Sequence, residues 1–255
     1  MVLAIDIGNT NVVIGGFENG RICFTERLST NRNSTASEYA MSIKSVLDFN
    51  GLSNHVFDGA ILSSVVPMVT NSVKLAAEKV TGREVIVVGP GVKTGLKILL
   101  DNPNQLGSDR VADAVAATHC YPCPLITIDL GTATTVSVVD GNKNFIGGMI
   151  IPGVMMSLDS LANRTSQLPH ISLDPPKRLI GRNTVDCMRS GIIYATAGSI
   201  DGLIDRIEEE LGQRCTIIST GGLSKVIAPF CRHQMIMDDQ LLLKGLMLIY
   251  DKNKA

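Results

Sequence analysis

One short pattern occurs twice in this chain: Asp6-Ile7-Gly8-Asn9-Thr10 near the start, and Asp129-Leu130-Gly131-Thr132-Ala133-Thr134 at mid-chain. Each copy ends a short apolar run of β type, Met1 to Ile5 and Leu125 to Ile128, and each is followed by another strand-like run. Both second runs close on a two-residue turn signal, Asn19-Gly20 and Asp140-Gly141, whose residues tolerate the positive φ that tight hairpins require. The chain therefore reads as two related halves of an α/β protein, residues 1–120 and 121–255, each opening with a strand, an acidic turn and a hairpin.

An Asp followed by Gly and small hydroxyl or amide residues, set between two strands, places a carboxylate beside exposed backbone N–H groups. Phosphates and hydrated cations bind such places. A single copy is a weak signal, because Asp-x-Gly is common at ordinary turns. Two copies with matching flanks are more specific, and facing each other they would hold a nucleoside triphosphate in a cleft between the halves.

The remaining pattern alternates helix and strand. Ser34 to Asn50 carries apolar residues at helical spacing and is closed by Gly51. Gly59 to Val66 is a buried strand that includes Ser63-Ser64, followed by a helix over Met68 to Val80 and a strand over Glu84 to Val88. The stretch from Gly89 to Gly107 is irregular, with Asp101-Asn102-Pro103 a strong turn signal. It leads into Ser108-Asp109-Arg110 and a helix over Val111 to Ala117, for which Ser108 or Asp109 is an N-cap candidate. An acidic and a basic residue side by side at a helix mouth also suit substrate handling.

In the second half, strands over Thr135 to Val139 and Phe145 to Ile151 precede a helix from Val154 to Arg164, and Thr165 to Thr184 is irregular. A long helix over Val185 to Leu211 carries Gly191, Gly198 and Gly202, which suggests close packing or a subunit contact. A strand over Cys215 to Ser219 runs into Thr220-Gly221-Gly222, either a shelf for adenine or ribose or a plain turn.

A net charge of −1 with no run of basic residues leaves no nucleic-acid or acidic-membrane footprint. No apolar stretch reaches the roughly 18 residues that span a bilayer, and no secretory pattern opens the chain, so a cytoplasmic protein acting on small molecules is expected. The six cysteines are dispersed in mostly apolar contexts, which suits reduced, buried thiols. Cys120-Tyr121-Pro122-Cys123 has the spacing of a redox or zinc pair, but it lacks a second pair and precedes a strand, so a helix-to-strand connection is the simpler reading.

Six motifs stand in one order along the chain: Asp6-x-Gly-Asn-Thr-Asn11, Gly107-x-Asp-Arg110, Asp129-x-Gly-Thr-Ala-Thr134, Gly147-Gly148 with Pro152-Gly153, Gly181-Arg-Asn-Thr184 and Thr220-Gly221-Gly222. Together they resemble the type III pantothenate kinases of the acetate and sugar kinase, Hsp70 and actin superfamily, over nearly the whole length. The resemblance implies two duplicated ribonuclease-H-like domains with the nucleotide cleft between them. It also implies ATP-dependent phosphorylation of pantothenate to 4′-phosphopantothenate, the opening step of coenzyme A synthesis, by a homodimer.

By the same resemblance the nucleotide-phosphate loop is Asp6, Ile7, Gly8, Asn9, Thr10, Asn11, Val12 and Val13, and Asp6 partners Mg²⁺ and ATP. The general base is Asp109, and the substrate loop is Gly107, Ser108, Asp109 and Arg110. Asp129 ligates a monovalent cation, K⁺ or NH₄⁺; Thr132 makes a further ATP contact and Thr184 a pantothenate contact. Many members carry a substrate-lining tyrosine where this chain has Leu100, so an aromatic wall and one hydroxyl are missing there.

The chemistry of the residues is consistent with that role. No G-x-x-x-x-G-K-[ST] sequence supplies a phosphate-binding lysine, so cations and backbone amides must neutralise the transferring group. Arg110 is a candidate for clamping the pantothenate carboxylate, against the alternative of pairing with Asp109 or Asp113. Another small-molecule kinase of the superfamily, or a non-catalytic regulatory relative, remains an alternative reading of the two acidic loops.

Overall fold

The computed structural model describes residues 1–254. They gather into two compact units: Met1–Leu96 with Asp101–His119 and the stretch from Gln240 onward, and Lys97–Leu100 with Cys120–Asp239. The chain thus changes unit beside residue 120, and its last segment returns to the first unit.

In the first unit, strands β1 (Val2–Ile7), β2 (Asn11–Glu18) and β3 (Arg21–Ser29) form an antiparallel meander. The first turn is the expected one, with Asn19 at φ 52° and Gly20 at φ 74°. Helix α1 (Ala36–Phe49), strand β4 (Gly59–Ser64), helix α2 (Pro67–Thr81) and strand β5 (Val85–Val87) follow. A capping box starts α1: Thr35 accepts from the Glu38 N–H and Glu38 accepts from the Thr35 N–H. The sheet order is β3-β2-β1-β4-β5, with β4 and β5 parallel to β1.

Strand β6 (Lys97–Ile98) belongs to the second unit, after which a 3-10 turn (Pro103–Gln105) leads to helix α3 (Ser108–Cys120). The second unit then repeats the first. Strands β7 (Leu125–Leu130), β8 (Ala133–Val139) and β9 (Asn144–Pro152) are an antiparallel meander, followed by helices α4 (Val154–Arg164) and α5 (Thr184–Leu211). Strand β10 (Thr216–Thr220), the short helix α6 (Ser224–Ile227) and strand β11 (Ile236–Met237) complete it. Its sheet runs β11-β10-β7-β8-β9-β6, which is the first sheet's order and strand sense with β6 added at one edge. The duplication read from the two loops is therefore a duplication of topology.

Helix α7 (Leu241–Asn253) lies in the first unit. Alternation along the strands explains why. Leu3, Ile5 and Ile7 with Ala60 and Leu62 face a core shared with Ile43, Leu47, Val69 and Val73 of α1 and α2. Val2, Ala4 and Asp6 with Ile61 and Ser63 face the opposite side, which α7 and α3 cover. Glycines permit the close approach there: a Cβ on Gly59 would stand 2.1 Å from Tyr250 Oη, and one on Gly245 would stand 1.9 Å from the Ala112 carbonyl.

Several local expectations are corrected. The β8–β9 turn takes its positive φ at Lys143 rather than at Asp140-Gly141, because the Asp140 carboxylate accepts the Asn142 and Asn144 N–H groups and shapes the loop itself. The cysteines are all free, but none is buried: Cys23, Cys120 and Cys187 are exposed and the others half-buried. Cys120 closes α3 and Leu125 opens β7, so the Cys120–Cys123 stretch is the helix-to-strand connection. Among the described residues, a Cβ on Gly191 or Gly198 of α5 would meet no neighbouring atom within 4 Å.

Candidate active site

Asp6 is the penultimate residue of β1, inside the strand rather than in the turn, and Ser63 of β4 lies beside it in register. Both side chains are buried, and both face the α3 side of the sheet. The loop after Asp6 is pinned from below. Gly8 N–H donates to the Asn11 carbonyl at 2.9 Å, Thr30 Oγ1 donates to the Gly8 carbonyl at 2.7 Å, and the Thr30 N–H donates to the Thr10 carbonyl at 2.9 Å. With its carbonyls held on that side, Asn9, Thr10 and Asn11 are left at the surface. Arg32 donates to Asn9 Oδ1 at 3.2 Å, which sets a guanidinium beside the loop. Sequence reasoning missed Arg32, because only the β3 pairing brings it to this loop.

Asp109 occupies the first turn of α3, and Ser108 just before it is anchored to β4. Ser108 Oγ lies 2.9 Å from Ser63 Oγ, accepts from the Ser64 N–H at 3.0 Å and donates to the Ser64 carbonyl at 3.0 Å. Ser108 is therefore no N-cap: its hydroxyl is spent on the sheet. The series Asp6, Ser63, Ser108, Asp109 runs from one strand to the next and then to the helix, so the structure brings the two carboxylate-bearing segments of the first unit together.

The Asp109 carboxylate is mostly buried, and burial pushes its pKa above the 3.8 of an ordinary aspartate. The Arg110 N–H, which donates to Asp109 Oδ1 at 2.7 Å, and the Arg110 charge oppose the rise without cancelling it. Burial in turn lowers the Arg110 pKa, and the charges of Asp109 and Asp113 oppose that fall. Arg110 thus already faces two carboxylates. A carboxylate whose pKa is raised by burial, set at a helix mouth, has the character of a general base.

In the second unit Asp129 holds the place of Asp6, with Thr220 of β10 beside it in register. Gly221 follows at φ 89°, and a Cβ there would stand 2.2 Å from Asp129 Oδ1. Glycine is required at that point on both counts, and the turn seats Asp129. Thr132 is exposed at the tip of the loop, and a Cβ on Gly153 would stand 1.9 Å from its carbonyl. Of the remaining candidates, Leu100 follows β6, and Thr184 opens α5 at the surface after its N-cap Asn183.

Among the described residues no three His, Cys, Asp or Glu side chains cluster to hold a metal ion. Single buried or half-buried carboxylates beside glycine-lined loops fit a different arrangement, in which an ion is shared between one carboxylate and the phosphates of a nucleotide.

Strand order and duplication are those of two ribonuclease-H-like domains. Solved structures agree on the fold. The activator of the 2-hydroxyisocaproyl-CoA dehydratase from Clostridium difficile, with bound ADPNP, aligns at TM-score 0.58 and 13% identity over 98% of this chain and 93% of that one. A Campylobacter jejuni protein described as a conserved Baf family transcriptional activator aligns at TM-score 0.59 and 20% identity, covering 98% of both chains. The sequence is more specific. Residues 2–206 match the type III pantothenate kinase family, and a type III pantothenate kinase from Bacillus cytotoxicus is 43% identical over 253 residues, 99% of this chain and 97% of the relative. The chain belongs to the type III pantothenate kinase family.

Proposed function

We propose that Asp109 is the general base of an ATP-dependent pantothenate kinase, with the Asp6 loop holding the phosphates that react. Family membership makes the reaction the phosphorylation of pantothenate to 4′-phosphopantothenate, in coenzyme A biosynthesis. The single observation that carries the residue assignment is the hydrogen bond from Ser63, the register partner of Asp6, to Ser108, the residue before Asp109.

The acceptor is a primary alcohol, too weakly acidic to ionise at neutral pH. As its oxygen bonds to the γ-phosphorus and the bond to ADP breaks, the proton passes to Asp109, whose Oδ2 is left for it once Oδ1 holds the Arg110 N–H. The loop from Asp6 to Val13 offers backbone N–H groups to the triphosphate, and Arg32 adds a fixed positive charge at its edge. Mg²⁺ bound with ATP would neutralise charge on the transferring group, and Asp6 would hold it. Asp129 is the ligand for a monovalent cation, K⁺ or NH₄⁺, and Thr132 makes the further nucleotide contact. Pantothenate is handled by Gly107 and Arg110 of the substrate loop, with Leu100 and Thr184, while Ser108 holds that loop on the sheet. Arg110 clamps its carboxylate while keeping Asp109 and Asp113 as neighbours.

The enzyme acts as a cytoplasmic homodimer, with no nucleic-acid or membrane partner. No helix among the described residues is long and apolar enough to cross a membrane; the near-zero net charge supports the lack of a nucleic-acid partner.

The assay offers pantothenate, glucose and acetate in parallel, with and without Mg²⁺ and K⁺. Product from pantothenate alone, dependent on both ions, is expected. Asp109→Asn should lose about 10²- to 10⁴-fold in kcat while still binding ATP. Wild-type turnover in that variant would remove Asp109 from the role.

A further inference from the structure

We propose that Ser63 and Ser108 form a hydroxyl latch that positions the Asp109 carboxylate, which makes both serines positioning residues for phosphoryl transfer. The latch rests on Asp109 being the general base. A serine hydroxyl has one proton to give and two lone pairs to receive with, and Ser108 uses all three. Its proton goes to the Ser64 carbonyl, one lone pair takes the Ser64 N–H, and the Ser63 hydroxyl must therefore donate to the other. Ser63 is fully buried, and its strand neighbour in register is Asp6. Ser64 is itself fixed, since its hydroxyl lies 2.7 Å from Thr70 Oγ1 and accepts the Val66 N–H at 3.1 Å.

The start of α3 is thus tied to the strand that borders Asp6 rather than capped in the ordinary way, and Asp109 is the next residue along. Its carboxylate has little freedom left, because Oδ1 is held by the Arg110 N–H and lies over Gly107. The distance from base to reacting phosphate is then set by the latch. Misplacing a reacting group by about 1 Å can cost about 10²-fold in rate, so hydrogen bonds that fix a helix mouth act on kcat.

The test measures kcat and both KM values for Ser108→Ala, Ser63→Ala and Ser108→Thr, each also in an Asp109→Asn background, with thermal unfolding of every variant. Ser108→Ala is expected to lose about tenfold or more in kcat with the ATP KM unchanged, and Ser108→Thr, which keeps the hydroxyl, to recover most of it. Adding Ser108→Ala to Asp109→Asn should cost nothing further, because the group being positioned is gone. If Ser108→Ala does not fold, Ser63→Ala carries the test, with a smaller loss of the same kind. Unchanged kcat in folded Ser108→Ala and Ser63→Ala overturns the latch and leaves Asp109 as the base, and so does a loss that persists undiminished in Asp109→Asn. Full activity of Asp109→Asn alone overturns the base assignment, and the latch with it.

Discussion

At Gly107 there is no room for a methyl group: a Cβ would stand 2.4 Å from Asp109 Oδ1 and 3.5 Å from Val65 Cγ1. Gly107→Ala should push the carboxylate aside and cost about 10²-fold in kcat, with the melting temperature little changed. Asp109 itself has two opposite effects to show. Its pKa is raised by burial, so the acid limb of the kcat profile should lie above the 3.8 of an ordinary aspartate, with activity lost as pH falls through it. For folding the sign reverses. A carboxylate whose pKa is higher in the folded state favours folding most at low pH, and that contribution is lost as pH rises through the folded value. Asp109→Asn should therefore unfold at a higher temperature than the parent at neutral pH while turning over far more slowly. A melt at pH 7 that shows the variant less stable would contradict the burial of an ionised group. The motif residues were legible because their types are dictated by chemistry. Ser63 was visible only as part of a strand, since its role depends on a partner 45 positions away.

Elements were legible where local chemistry defines their ends. Helix α1 opens with its Thr35–Glu38 capping box and closes at Gly51, at φ 72°, and both signals stand in the sequence. Thr35→Ala should lower stability by about 1 kcal/mol, read as a shift in the denaturant midpoint, with kinetic constants unchanged. Helix α7 gave no such signal. Its N-cap Gln240 makes no side-chain capping bond, and Gly245 sits in its interior like a breaker. That glycine is there because the helix runs over the Ala112 backbone, a tertiary reason that no local pattern carries. Gly245→Ala should accordingly destabilise the protein by about 1–3 kcal/mol, the cost of overpacking, although alanine is the better helix former. Strand β6 was missed for a simpler reason, since two residues hold no alternation to read.

For the whole molecule, the repeated Asp-x-Gly loops predicted a repeated topology, and the order β3-β2-β1-β4-β5 recurs as β9-β8-β7-β10-β11. What the repeat did not reveal is that the halves are not closed segments of chain. The proposed dimer belongs to this scale too. Gly191, Ala195, Gly198 and Gly202 recur along one face of α5, where among the described residues a Cβ on Gly191 or Gly198 would meet nothing within 4 Å. If a second copy packs on that face, Gly198→Leu should yield monomers in sedimentation while each chain melts as before. The return of α7 to the first unit has its own consequence, for synthesis. While the second unit is being made, the sheet β1–β5 still lacks α7, which packs on β1 and β4 on the flank bearing Asp6. That flank is therefore only partly covered until α7 has emerged, and in the interval it is a surface for chaperones to shield.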